Sequence, residues 1–109
     1  MKFTLLVNPN TNWQQAIAHA LKLCRAIAMQ GHQLNTVFFF GHAVQIIENK
    51  TLQLQWLELT KTNHTNLLVC RTMIEKLQLQ PQLITEFQIV GLGSLTDSIL
   101  QSNQVLEIC

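Results

Sequence analysis

Five short apolar stretches, rich in β-branched and aromatic residues, alternate with segments of helical character along the 109 residues of the chain. Stretches of this kind, bounded by glycine, proline or asparagine, are typical of buried strands, and helices between them are typical of parallel sheets. The length is that of one compact domain. The pattern therefore predicts an α/β fold, with a mainly parallel five-stranded sheet and helices on both of its faces. The predicted strands are 3–7, 34–40, 66–70, 87–90 and 105–108.

The first helix has the clearest pattern. From Trp13 to Ala28 apolar residues recur at helical spacing, Asn12 stands where an N-cap is expected, and Gly31 ends the pattern. Strand, helix and strand over residues 3–40 predict a right-handed βαβ unit. Further helices are predicted over 43–47, 54–59, 71–77 and 94–101.

Charged residues make up only 12% of the chain, about half of the usual share. The net charge is +1 and no cluster of Lys and Arg occurs, so direct nucleic-acid binding is not expected. The apolar runs are too short to cross a bilayer and the N-terminus does not resemble a secretory signal, which predicts a cytoplasmic protein. A weakly charged surface also favours subunit interfaces, and we expect Trp56 and the middle segment around it to lie in one.

Cys70 is the main candidate for chemistry. It ends the predicted third strand, and the carboxyl ends of parallel strands are where reactive groups gather. Unpaired N–H groups at the start of the following helix, together with Arg71, would stabilise a thiolate there. An accessible thiolate is the species that sulfur transfer or thiol exchange requires. The residues alone leave open the plainer interpretation, in which Cys70 is a small buried hydrophobe at a strand end.

Three other residues are weaker candidates. His42 follows the second strand and is either a proton partner of Cys70 or a loop histidine without a role. Cys24 lies on the apolar stripe of the first helix and is predicted to be structural. Cys109 is either an exposed thiol without a role or a second sulfur relay point. Three cysteines without a CxxC motif, and histidines without metal-ligand spacing, predict neither a disulfide framework nor a metal site.

The segment Gly91-Leu92-Gly93 follows a strand and precedes a helix, as a phosphate-binding loop would. It lacks the third glycine of the dinucleotide fingerprint and the Gly-Lys-Ser/Thr of a P-loop. No nucleotide or other cofactor is therefore predicted. We expect these glycines to allow a tight turn and a close approach of the backbone to its neighbours.

Eight segments, in a fixed order over the whole chain, carry a resemblance to a known family. They are Met1 to Val7, Gln14-Gln15-Ala16, Gly31-His32-Gln33-Leu34, Val37-Phe38-Phe39, Trp56, Leu67-Leu68-Val69-Cys70, Phe87 and Gly91-Leu92-Gly93-Ser94-Leu95. This ordered set resembles the DsrE/TusD family of sulfur-relay subunits, with residues 1–109 as one such domain. The resemblance implies a DsrE-like fold and makes Cys70 the carrier of sulfur as a persulfide.

The resemblance also implies partners. They are TusB-like and TusC-like subunits or further copies of the chain in a hexamer, a TusA-like sulfur donor and a TusE/DsrC-like acceptor. The sulfur would end in 2-thiouridine of tRNA or would be oxidised. The chain looks shorter than the family around 49–54 and 78–82, which leaves open a homo-oligomeric relative. The alternative to sulfur transfer is a noncatalytic scaffold subunit in which Cys70 is buried.

Overall fold

The computed structural model describes residues 1–10 and 12–109. Its sheet has five strands, all parallel, in the spatial order β4-β3-β2-β1-β5. The strands begin or end within one or two residues of their predicted positions, so the predicted parallel α/β fold is confirmed. They are β1 (Lys2–Val7), β2 (Gln33–Phe39), β3 (Asn66–Cys70), β4 (Phe87–Val90) and β5 (Gln104–Ile108).

In residues 1–10 and 12–109, five α-helices and one 3₁₀ helix connect the strands. The 3₁₀ helix, Gly41–Glu48, occupies the place of the predicted helix over 43–47, and the predicted helix over 54–59 is divided at Trp56 into α2 and α3. None of the helices in the described part of the chain combines the length and the apolar character needed to cross a membrane. The α-helices are α1 (Trp13–Met29), α2 (Lys50–Gln55), α3 (Leu57–Asn63), α4 (Arg71–Lys76) and α5 (Leu92–Leu100).

Right-handed crossovers distribute these helices over two layers. The chain steps from β1 to β4 in one direction across the sheet, so α1 to α4 cover one face, which we call the front face. The return from β4 to β5 runs in the opposite direction, so α5 covers the back face. Side-chain bonds confirm this placement, because Ser98 in α5 bonds the hydroxyl of Thr36 in β2 at 3.2 Å and its carbonyl accepts from Thr4 in β1 at 3.2 Å. Helices lie on both faces, as predicted.

The first helix packs its apolar stripe on the front face, and Ile17, Ala20 and Cys24 are buried there. Gly31 ends the pattern with a φ of 82°, as expected. Asn12 does occupy the N-cap position, but the prediction that its side chain caps the helix is wrong. Its backbone is left-handed, with φ 50° and ψ 53°, and the side chain makes no capping bond in the described structure.

The middle segment is fixed by one buried amide. Gln53 Nε2 donates to the carbonyl of Ile46 at 2.9 Å and to that of Gln82 at 3.1 Å, and Gln53 Oε1 accepts from the backbone N–H of Ile84 at 2.9 Å. A buried amide is tolerated when its donors and its acceptor all find partners. Gln53 thus ties the 3₁₀ helix to the segment that leads into β4.

Trp56 does not lie in a surface, and the prediction that it forms part of an interface is wrong. Its side chain is fully buried. The indole ring stands edge-on to Phe39 of β2, with ring centroids 5.1 Å apart and an interplanar angle of 84°, an arrangement that aromatic pairs prefer. Trp56 is therefore a core residue of the front face, at the break between α2 and α3.

The glycine with a steric role is Gly41 rather than Gly91 or Gly93. A Cβ at Gly91 or Gly93 would meet nothing within 4 Å, so the predicted close approach of the backbone at these positions is wrong. Gly41 has a φ of 57°, and a Cβ there would lie 2.5 Å from Asn8 Oδ1. The left-handed backbone at the exit from β2 therefore favours glycine, and the Asn8 side chain would have to move to make room for a Cβ.

The substitution Gly41→Ala is expected to lower the free energy of unfolding by roughly 2 kcal/mol, because it adds a positive-φ strain and a clash with Asn8. The matched control is Gly93→Ala in α5, which has open space around it and is expected to raise the stability by up to about 1 kcal/mol. Urea unfolding of the two variants measures both effects. Equal effects of the two substitutions would contradict this assignment.

Because Cys24 is buried, the fold is expected to lose stability at alkaline pH. The side chain is fully buried, and this burial raises the pKa of its thiol from the ordinary 9.0 to about 12. The contribution of the protonated thiol to the free energy of unfolding is fully present below pH 9. Between pH 9 and pH 12 the unfolded chain binds fewer protons than the folded chain, so the free energy of unfolding falls as pH rises. The expected slope approaches about 1.4 kcal/mol per pH unit.

Urea unfolding between pH 8 and pH 11, compared for the parent chain and Cys24→Ala, isolates this contribution. The variant is expected to be less stable at pH 8, because it leaves a cavity, and to lose less stability than the parent as pH rises. Identical slopes in the two proteins would show that the Cys24 thiol does not titrate in this way.

Candidate functional site

The carboxyl ends of the strands meet at one edge of the sheet, and the candidate residues lie along it. Phe39 of β2 pairs with Val69, and Cys70 pairs with Val90 of β4. Neighbouring strands are about 4.8 Å apart. Cys70 therefore lies between the ends of β2 and β4, where the backbone of three strands turns into helices.

Cys70 is both the last residue of β3 and the N-cap residue of α4, which has six residues. Its backbone is extended, with φ −70° and ψ 117°, and its side chain makes no capping bond in the described structure. The side chain is 0% exposed. The thiol is thus at a strand end, as the sequence predicts, but in the single chain it is closed off from solvent.

The alternation of side chains along β3 indicates the face to which Cys70 points. Leu68, two residues before Cys70, lines a polar groove of about 390 Å³ on the back face, together with Val90 and Ser94. Cys70 therefore points to the back face as well. The first turn of α5 begins at the same edge, directly after Gly91 at the end of β4. The thiol and the start of α5 thus lie on the same face and at the same edge of the sheet.

Arg71 directly follows Cys70 and is the first residue of α4. Its side chain is exposed, and its Nη2 donates to the carbonyl of Ile89 at 3.4 Å. Ile89 precedes Val90, which is the strand partner of Cys70. The guanidinium charge is therefore held over the end of β4, next to the strand end at which Cys70 lies.

His42 lies at the end of the adjacent strand, in the first turn of the 3₁₀ helix. Its side chain is exposed, and its Nδ1 is 3.5 Å from Nε2 of Gln45 in the same helix. The structure thus brings Cys70 and Arg71 together and leaves His42 facing solvent on the same edge. In residues 1–10 and 12–109, no group of three or more His, Cys, Asp or Glu side chains comes together as metal ligands would.

A second thiol lies on the same edge, and the sequence did not reveal its surroundings. Cys109 is exposed, and with His19 and Gln15 of α1 it lines a cavity of about 450 Å³. The strand order explains this neighbourhood, because β5 pairs with β1 and so ends beside the start of α1. Two strands separate β5 from β3, which places Cys109 about 14 Å from Cys70.

The fold and the sequence both match known proteins. The crystal structure of the YchN protein from E. coli has a TM-score of 0.78 at 20% identity, covering 99% of both chains. A conserved protein of unknown function from Bacteroides thetaiotaomicron has a TM-score of 0.72 at 18% identity, covering 98% of this chain and 94% of the other.

Among curated proteins, the sulfurtransferase TusD of Cronobacter sakazakii is 28% identical, over 98% of this chain and 99% of the relative. A sulfurtransferase TusD homolog from Vibrio vulnificus is 26% identical, over 98% of this chain and 97% of the relative. The model of the DsrE/DsrF-like family matches residues 1–108. On this match over nearly the whole sequence, the chain belongs to the DsrE/DsrF-like family.

Proposed function

We propose that this chain is a sulfurtransferase subunit of a protein sulfur relay, in which Cys70 carries sulfane sulfur as a persulfide. The observation that carries the proposal is the place of Cys70, at the carboxyl end of β3 and beside the Arg71 guanidinium, in a chain of the DsrE/DsrF-like family. Its TusD-named relatives, which align over nearly their whole length, are named sulfurtransferases.

The chemistry needs one nucleophile and no oxidant. The Cys70 thiolate attacks the terminal sulfur of a donor persulfide, a new S–S bond forms, the donor's S–S bond breaks, and the donor cysteine leaves as a thiolate. In the second half, an acceptor cysteine attacks the terminal sulfur on Cys70 in the same way. Neither half changes the total oxidation state, so the cycle is complete with no cofactor.

Arg71 and His42 support these steps from the solvent side. A thiolate and a persulfide are anionic, and the Arg71 guanidinium, held at the end of β4, is a cation beside both. His42 lies exposed at the neighbouring strand end and is the nearby imidazole that could take the thiol proton. In this proposal both residues act on the thiol once it is open, and Cys70 alone forms covalent bonds.

Transfer between proteins requires the thiol to become accessible, and α5 is the element that moves. None of its residues is buried, so little apolar surface holds it to the sheet. Its contacts with the sheet include the hydrogen bonds of Ser98 with Thr36 and Thr4 and the partly buried side chain of Leu95. A displacement of its first turn would uncover Cys70 without disturbing the packed front face.

The relay partners follow from the family resemblance. We propose TusB-like and TusC-like subunits or further copies of the chain in a hexamer, a TusA-like donor and a TusE/DsrC-like acceptor, all in the cytoplasm, where thiols stay reduced. Exposed Leu92, Ile99 and Leu100 of α5 support an assembled state. With a net charge of +1, the chain passes its sulfur to a protein, and either tRNA 2-thiouridine or sulfur oxidation lies further along the pathway.

A noncatalytic scaffold subunit is the second candidate, and the complete burial of Cys70 is the observation that favours it. In that case the thiol is a small core residue, and the chain contributes only surfaces to a complex. The two candidates differ in one property, which is whether Cys70 accepts sulfur.

Incubation of the reduced chain with a persulfide donor, followed by intact-mass measurement, tests this property. The parent chain is expected to gain one sulfur atom, Cys70→Ser is expected to gain none, and the control Cys109→Ser is expected to load like the parent. Peptide mapping locates the added sulfur. Loading that survives Cys70→Ser would contradict the carrier role of Cys70, and absence of loading in the parent chain would favour the scaffold.

A further inference from the structure

The outer edge of β5 is unpaired in the single chain. β5 is the last strand of the sheet and pairs only with β1, in continuous register from Gln104 to Ile108. The N–H of Asn8 donates to the carbonyl of Ile108 at 2.7 Å, so Ile108 turns its peptide groups toward β1. The direction of the peptide groups alternates along a strand, so the N–H and C=O groups of Val105 and Glu107 point outward. Two N–H and two C=O groups are therefore free to pair with another strand.

This edge carries few of the features that protect edge strands from pairing. β5 contains no Pro or Lys, and its register against β1 has no bulge. Its one charged side chain, Glu107, is within 3.5 Å of Asn8 Nδ2 in its own chain. Val105 is an exposed apolar side chain at the same edge. A strand of this composition is suited to strand addition.

We propose that β5 pairs with β5 of a second copy of this chain, antiparallel about a two-fold axis at Leu106. In this register Val105 lies opposite Glu107 of the second copy, and each such pair exchanges two hydrogen bonds. All four outward groups of each strand are then satisfied, by four bonds between the chains. The two five-stranded sheets become one sheet of ten strands.

The side chains of β5 fit this register. Leu106 lies opposite its counterpart, and each Glu107 lies opposite a valine, so no like charges face each other. A second copy is the favoured occupant because an identical strand satisfies the edge by symmetry, with the same patch used on both sides. The net charge of +1 opposes self-association only weakly. The pairing does not depend on the thiol chemistry of Cys70.

Sedimentation equilibrium of the full chain under reducing conditions tests the pairing. Val105→Pro removes an outward N–H while leaving the ladder with β1 intact, since proline is tolerated on an outer edge. It is expected to raise the dimer dissociation constant about tenfold or more, because two of the four bonds are lost. The matched control Val105→Thr keeps the N–H and the β-branched shape, and is expected to associate like the parent.

Glu107→Pro removes the other outward N–H and is a second variant in case Val105→Pro fails to fold, which urea unfolding reports. The parent chain could also form a larger assembly with an even number of copies. A fall of its mass to one half in the proline variants would then support the pairing as well. A parent chain that stays monomeric over the concentration range would overturn the proposal, as would association that survives both proline substitutions. Cys70→Ser is expected to associate like the parent, which separates this inference from the sulfur-carrier role.

Discussion

In the part of the chain that the structure describes, one helix of nine residues, α5, covers the back face of the sheet, which is the face to which Cys70 points. The front face is different, because α1 to α4 pack there around a dense core in which Trp56 contacts Phe39, and Phe39 also lies against Phe87. On the back face, hydroxyl groups of Ser98, Thr4 and Thr36 bond α5 to the sheet, and no residue of α5 is fully buried. We therefore expect α5 to open at a smaller cost in free energy than the helices of the front face.

This asymmetry would suit the proposed role of Cys70 as a sulfur carrier. A persulfide or thiolate in contact with water is open to oxidation, so burial of Cys70 would protect the sulfur between the two proposed transfers. Arg71 is exposed, and in the proposed relay it would meet the incoming donor or acceptor. Cys24 has no such access, because it lies deep in the front core, where burial raises its pKa to about 12. The three thiols thus have different environments: Cys24 is buried in the front core, Cys70 is buried at a strand end, and Cys109 is exposed.

The strands and the first helix could be predicted from the sequence because each is marked by a pattern within a short stretch of residues. Each strand is a short apolar run that ends at a turn residue, and the stripe of α1 has a clear helical period, so their places could be predicted closely. The position of Cys70 at the end of β3 followed from the same pattern. The parallel direction of the strands follows from the helix between each pair of consecutive strands, and the handedness of the crossovers then determines on which face each helix lies.

The features that the sequence did not reveal depend on residues distant in the chain. Trp56 is buried because Phe39 lies across from it, and the Asn8 side chain approaches Gly41. Asn12 stands at the start of α1, but its left-handed backbone prevents the expected cap. Cys70 is completely buried, which its place at a strand end did not predict. Each of these features depends on residues that are distant in the chain, so local sequence patterns do not reveal it.

Alkylation of the native chain with iodoacetamide, followed residue by residue with peptide mass measurement, tests most directly whether the Cys70 thiol becomes accessible to solvent. The other two cysteines of the chain are internal references. Cys109 is exposed and reports free access, whereas Cys24 is buried in the front core and reports global unfolding. We expect Cys70 to be labelled more slowly than Cys109 and much faster than Cys24, because the start of α5 is expected to open locally. Labelling of Cys70 as slow as that of Cys24 would contradict it, because the thiol would then be closed in every state except the unfolded one.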